Sequence, residues 1–133
     1  MDLASIRGHL GVVEYLHSLG ARCTVYAIDC ASYYGRLEVV MYLHSIINAK
    51  CTTKAMDWAS QNGHLEVLEY LHSVGKKCTR NSIRNASLRG HLEVVKFLHY
   101  TVGVKYAEYN IVDLARRCKH YDVIEFLKST HQK

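Results

Sequence analysis

The sequence contains no proline at all, and that absence narrows the fold before any motif is read. Proline breaks helix interiors, so a chain without it suits a structure made mostly of helix. No apolar run approaches the roughly 18 residues needed to cross a bilayer, so membrane insertion is not expected. The opening Met1-Asp2-Leu3-Ala4-Ser5 has no basic segment followed by an apolar one, so a secretory leader is not expected either. Blocks of like charge are also missing. The net charge is +5 and the pI near 9.0, yet the basic residues are spread, with doublets only at Lys76-Lys77 and Arg116-Arg117. Five cysteines, an odd number, argue against a complete disulfide framework. The expected setting is an intracellular, reducing compartment, cytoplasmic or nuclear.

What is present is repetition. Gly63-His64-Leu65-Glu66-Val67 has counterparts in Gly8-His9-Leu10-Gly11-Val12, Gly35-Arg36-Leu37-Glu38-Val39 and Gly90-His91-Leu92-Glu93-Val94. A worn copy, Lys119-His120-Tyr121-Asp122-Val123, follows, and the successive offsets are 27, 28, 27 and 29 residues. A nearly fixed period of this length marks a stacked repeat array. The 133 residues divide into units at about 1–24, 25–52, 53–79, 80–106 and 107–133, all within a single domain.

Each unit reads as helix, tight turn, helix, loop. In the third, the hydroxyl of Thr52 or Thr53 can cap a first helix over Lys54 to Gln61. Asn62-Gly63 ends that helix, because glycine accepts the left-handed conformation at no steric cost. A second helix runs from Leu65 to Ser73, with Leu65, Val67, Leu68 and Leu71 as its apolar stripe. Asn48 stands where the other units have Gly20 and Gly75, with one extra residue that explains the 28-residue offset. In the fourth unit the second helix is expected over Leu92 to His99. The fifth lacks the helix-ending glycine, and its second helix is expected over Asp122 to Lys128 before a polar tail through Lys133. Repeat arrays need polar outer faces at their ends. Arg116, Arg117, Lys119 and Lys128 suit such a cap, whereas the first unit shows none, which suggests a truncated start or a covered end.

Gly-His-Leu-Glu-Val-Val preceded by Ala-Ser resembles the ankyrin repeat. The matching positions are Ala59-Ser60, Gly63-His64, Val67-Leu68 and Leu71 in the third unit, with equivalents in the second and fourth. The likeness covers almost the whole chain. An ankyrin unit is about 33 residues long and opens with Thr-Pro-Leu-His, where this chain has Lys54-Ala55-Met56-Asp57. Roughly six residues per unit are missing where the family forms its β-hairpin fingers, so bare helical pairs with short loops are expected. The tetratricopeptide pattern of Trp, Leu-Gly and Tyr is absent.

Chemistry-bearing residues fall into rows. His17, His44, His72 and His99 recur near the end of each second helix, and His9, His64 and His91 near its start. Zinc needs three or four ligands converging on one point, which a ladder with steps of about 8–10 Å does not supply. No metal or cofactor is therefore expected. Cys23, Cys51 and Cys78 form a similar row, too widely stepped for disulfides, and read as small buried apolar groups. Asp2, Asp29, Asp57 and Asp113 repeat with Arg84 in the fourth place, a pattern of capping or inter-unit hydrogen bonds. Arg84 is expected to lie between Asp57 and Asp113 and to contact at least one. No nucleophile elbow, phosphate loop or His-Glu-x-x-His occurs, so catalysis is not expected.

The resulting expectation is an all-α, ankyrin-like helical-repeat solenoid that binds another protein without catalysis. In ankyrin-like units the non-core side of the first helix faces a concave groove where partners usually bind. By alignment this side carries Leu3, Cys30, Trp58, Asn85 and Leu114. The expected contact residues are Tyr33, Tyr34, Trp58, Gln61, Asn62, Asn85 and Arg89, with Trp58 as anchor flanked by Tyr33, Tyr34 and Arg89. Trp58 could instead only pack between first helices. Tyr15, Tyr42, Tyr70 and Phe97, on the second helices, read as packing. Two other readings stay open: a basic binder of nucleic acid or another polyanion, and a docking module within a longer protein.

Overall fold

The computed structural model describes residues 1–106 and 108–130. Residue 107, beside the border expected between the fourth and fifth units, and residues 131–133 of the polar tail lie outside them. Among the described residues there are ten α-helices and no strand. They form five pairs: α1 (Asp2–Arg7) with α2 (Leu10–Ser18), α3 (Tyr26–Tyr33) with α4 (Leu37–Ser45), α5 (Lys54–Gln61) with α6 (Leu65–Ser73), α7 (Asn81–Arg89) with α8 (Leu92–Phe97), and α9 (Glu108–Arg117) with α10 (Tyr121–Thr130). Each first helix packs on its own second helix and on the first helices before and after it. The result is a helical-repeat solenoid.

The apolar stripes account for the stack. On α6, Val67, Leu68 and Leu71 are buried while Glu66 and Glu69 stay in solvent. Burying a leucine side chain contributes about 2 kcal/mol, and Leu43, Leu68, Leu71, Leu98 and Leu127 repeat that gain up the core. The first unit breaks the row. Val12 is 48% exposed, whereas its equivalents Val39, Val67, Val94 and Val123 are buried.

The glycine turns do more than reverse the chain. Gly35 adopts φ 69°, and its N–H donates to the Ser32 carbonyl while that of Arg36 donates to Ala31. This double closure satisfies two of the orphan carbonyls at the end of α3. A third, on Tyr33, accepts a hydrogen bond from Nε2 of His64 in the next unit at 3.0 Å. The His64 ring thus lies across Gly35, so close that a Cβ there would stand 2.5 Å from Nδ1. His91 covers Gly63 in the same manner and His120 covers Gly90. Arg36 takes the role at Gly8, its Nε donating to the Ile6 carbonyl at 3.3 Å. In the last unit Lys119 holds the left-handed turn at φ 62°.

At the other end of each pair a carboxylate latches one unit to the next. Asp29, wholly buried, accepts from the Thr52 N–H at 2.9 Å and the Thr52 hydroxyl at 2.6 Å. The same hydroxyl accepts from the Lys54 N–H at 3.1 Å, so Thr52 is the residue whose hydroxyl caps α5. Asp2 with Thr24 and Asp57 with Thr79 repeat the latch. Arg84 corrects one expectation, for it is exposed and pairs with neither Asp57 nor Asp113. Asp57 has both oxygens on Thr79, and Asp113 is held by Arg116 and Arg117 on its own helix at 3.9 and 3.7 Å. Partners three and four residues away along one helix are nearer than a neighbour in the next unit.

Second helices close with a left-handed residue too. Asn48 takes φ 57° where Gly20 and Gly75 take 82° and 83°. The extra residue is absorbed locally: the Ala49 N–H reaches the Leu43 carbonyl six residues back, whereas Ala21 reaches Leu16 over five. The fourth unit also carries one more residue here than the first and third. It departs from the helix expected to His99, because Leu98–Val102 forms a π-helical turn that takes up the insertion before Val104 closes on Leu98.

Two outcomes follow for stability. Gly35→Ala should lower the unfolding free energy by about 1 kcal/mol more than Gly20→Ala, since only Gly35 lies under a neighbouring side chain. Equal losses in urea titrations would show that the imidazole contact adds nothing. Asp29→Ala should cost about 2–3 kcal/mol, the worth of charge-assisted bonds left unmade in the interior. A loss below that of the half-exposed Asp2→Ala would remove the latch as a source of stability.

Candidate functional site

First helices carry small residues where they meet. Ala27, Ala31, Ala55, Ala59 and Ala86 are fully buried, which lets α3, α5 and α7 lie closer together than the Val- and Leu-bearing second helices do. Closer spacing on one side bends the stack toward that side. The solvent side of the first helices leaves Leu3 exposed and Cys30, Trp58, Asn85 and Leu114 half-buried.

Three of the expected contact residues come together. The Trp58 ring meets Tyr33 edge-on with centroids 5.8 Å apart, and Tyr33 meets Tyr34 in the same geometry at 4.9 Å. Tyr34 is 49% exposed. Beside this cluster, Nδ2 of Asn85 donates to Oε1 of Gln61 at 3.4 Å, joining two successive first helices. Asn62 is turned inward: its Nδ2 donates to the Trp58 carbonyl at 3.1 Å and supports the helix end. Arg89 is exposed at the end of α7 and makes no ion pair among the described residues.

A cation outside the expected contact set meets Trp58: Lys54 places Nζ 5.5 Å from the ring centroid. The signal was available, since Lys54 and Trp58 stand four apart on one helix and so share a face. Such a cation over an indole face is held by the ring quadrupole.

The histidine rows are used within the framework. Nδ1 of His17 is hydrogen-bonded to the Tyr42 hydroxyl at 2.8 Å, and Nδ1 of His44 to Tyr70 at 3.0 Å. His72 meets Phe97 and His99 meets Phe126 edge-on, each at 5.8 Å. One row of imidazoles therefore meets the aromatic row of the following unit, a pairing that the constant offset already carried. Among the described residues no three His, Cys, Asp or Glu side chains converge as a metal site. The cysteines are free; Cys23, Cys51 and Cys78 are half-buried rather than buried, and burial raises their thiol pKa values. No described helix is long and apolar enough to cross a membrane.

Helix pairs, glycine turns and neighbour-only stacking are thus all in place, and comparison with known families agrees with them. A family model described as ankyrin repeats, in three copies, matches residues 1–82. The chain belongs to the ankyrin-repeat family. A comparison with curated proteins finds no match. Beyond the matched stretch, α7 to α10 continue the ankyrin pattern through Gly90-His91 and Val94-Val95. Ankyrin-repeat stacks present extended concave surfaces to protein partners.

One ankyrin position bears on pH. His91, seated on Gly63, has its pKa lowered from 6.5, first by burial and then by nearby Arg89, His64 and His120, against a raising hydrogen bond to the Gln61 backbone. The fold therefore favours the neutral ring. Stability is intact above pH 6.5 and declines as the pH falls below it, because the unfolded chain takes the proton more readily. Thermal melts between about pH 7.5 and 5 should show that decline, with a shallower slope in His91→Gln. Identical slopes would mean that His91 does not report on folding.

Proposed function

We propose that this domain is a non-catalytic scaffold that binds another protein through the first-helix side of the stack, with Trp58 as the anchor. The observation that carries the reading is the Trp58 cluster itself. The only tryptophan in the chain is half-buried, braced edge-on by Tyr33 and covered by Lys54, with Tyr34 exposed alongside. Tryptophan and tyrosine dominate the energetics of protein interfaces when they sit in well-packed surroundings. A braced ring gives up little freedom on binding, and the latched stack beneath it gives up little more. Gln61 and Asn85 supply polar groups beside the anchor, and Arg89 adds an exposed cation at the turn. The five free thiols support a reducing compartment as the place of work.

Affinity capture with the wild type beside Trp58→Ala and a Trp58→Ala, Arg89→Ala double variant tests this. Partners held through this side should be depleted in both, with Trp58→Ala weakening a purified partner by about 2 kcal/mol or more. Identical partner sets from wild type and double variant would place the contact elsewhere.

A further inference from the structure

The positive excess of this protein lies in the connections between its units. The four connections that follow α2, α4, α6 and the π-helical turn carry Arg22, Lys50, Lys76, Lys77, Arg80 and Lys105, and no Asp or Glu. The rest of the chain holds 11 of the 17 basic residues and all 12 acids, a net charge of −1. Along the sequence these cations are dispersed. In the stack every connection lies at the end of the helix pairs opposite the glycine turns, so they line one edge. The opposite edge mixes signs, with Arg36 beside Glu38, and Arg89 near Glu93.

The edge is not a flat charged strip. Between the first two connections lies a cavity of about 480 Å³ lined by the apolar Cys23, Ile47 and Ala49 and by Arg22 and Lys50. Between the third and fourth lies one of about 310 Å³ lined by Cys78, Val102 and Val104 and by Lys76, Lys77, Arg80 and Lys105. Lys76 also acts electrostatically on the Cys51 thiol, which ties the second connection to the third. None of the six cations forms an ion pair among the described residues. Of the three latch carboxylates along this edge, Asp29 and Asp57 are buried behind Thr52 and Thr79, and the half-exposed Asp2 at the first connection has both oxygens on Thr24.

We propose that this edge binds an acidic peptide segment of a partner protein, whose carboxylates meet the cations while small aliphatic side chains enter the crevices between them. The step of the stack, about 8–10 Å per unit, matches a polyproline-II segment, which returns a side chain to the same face every third residue at about 9 Å. Four connections are then spanned by about twelve residues. Single-stranded nucleic acid fits the edge less well. Binders of that class stack bases on aromatic rings, and the four connections contain one aromatic residue, Tyr106. A phosphate backbone would also leave the apolar crevices unfilled. The inference is independent of the Trp58 reading, because it uses other residues on another edge.

The test uses a fluorescein-labelled peptide of repeated Glu-Pro-Val triplets, about twelve residues long, with an oligodeoxythymidine of equal length as the competing probe. Anisotropy titrations at one fixed salt concentration should show the peptide binding to the wild-type chain more tightly than the oligonucleotide. The triple variant Lys77→Glu, Arg80→Glu, Lys105→Glu changes exposed side chains only, so its helical circular dichroism should match wild type, and its peptide affinity should fall at least about tenfold. Trp58→Ala should leave peptide affinity unchanged. The proposal is overturned by absence of peptide binding, by equal affinity in a folded triple variant, or by tighter binding of the oligonucleotide. Should the triple variant lose its helical signal, single Lys77→Glu and Lys105→Glu variants take its place under the same criterion.

Discussion

The stack depends on a side chain of one unit lying where the glycine of the preceding unit has no Cβ. Gly35, Gly63 and Gly90 each turn the chain at positive φ, and each is covered by the histidine of the following unit. The two requirements coincide at a single residue. A left-handed turn favours glycine for backbone reasons, and the bare α-carbon then leaves space for an imidazole. Where the bond is defined, the ring also donates to the carbonyl two residues before the glycine, one of the orphan acceptors at a helix end. Helix termination and unit-to-unit contact are thus the same interaction. Arg36 shows how far this can vary, since a guanidinium at Gly8 reaches the equivalent carbonyl.

Two further rows extend that register across the width of the stack. The Asp–Thr latches hold the loop end of the first helices, and the imidazole–aromatic contacts hold the second helices. Both are local bonds repeated at the period of the chain, so mutual support accumulates from unit to unit as in other repeat proteins. The latch stops at the fourth unit, where Arg84 replaces the acid and stands in solvent. There too the second helix ends in a π-turn, and the following connection differs from the others in length. Among the described residues no Asp–Thr latch joins the fourth unit to the fifth, while His120 over Gly90 and His99 against Phe126 keep the other two rows.

Because the framework consumes most of the recurring polar groups within the repeat, the proposed recognition rests on what varies between units. On the first-helix side that is the braced Trp58 with its tyrosines and Lys54. On the connection edge it is a line of cations separated by small apolar crevices. One surface offers shape and aromatic area; the other offers charge at a regular step. The two proposed surfaces lie apart, so a folded partner on one would not displace an extended segment on the other.

Much of this was legible in the residues alone. The period, the helix pairs of the third unit to the residue, the left-handed Asn48 and the stacking role of the apolar rows are local consequences of side-chain spacing and backbone preference. These depend on residues within one turn of each other, where propensity and sterics decide. The Arg84 contact failed because it asked which of several reachable partners each carboxylate takes: Asp57 is occupied by Thr79, and Asp113 by two arginines on its own helix. Sequence by itself determined that Gly-His recurs and that it ends a helix. Only the tertiary structure decided that each glycine belongs with the histidine of the next copy rather than with its own neighbour, and that six dispersed cations share one edge. The reason is that stacking brings together residues about a full period apart, a distance along the chain at which no local preference acts.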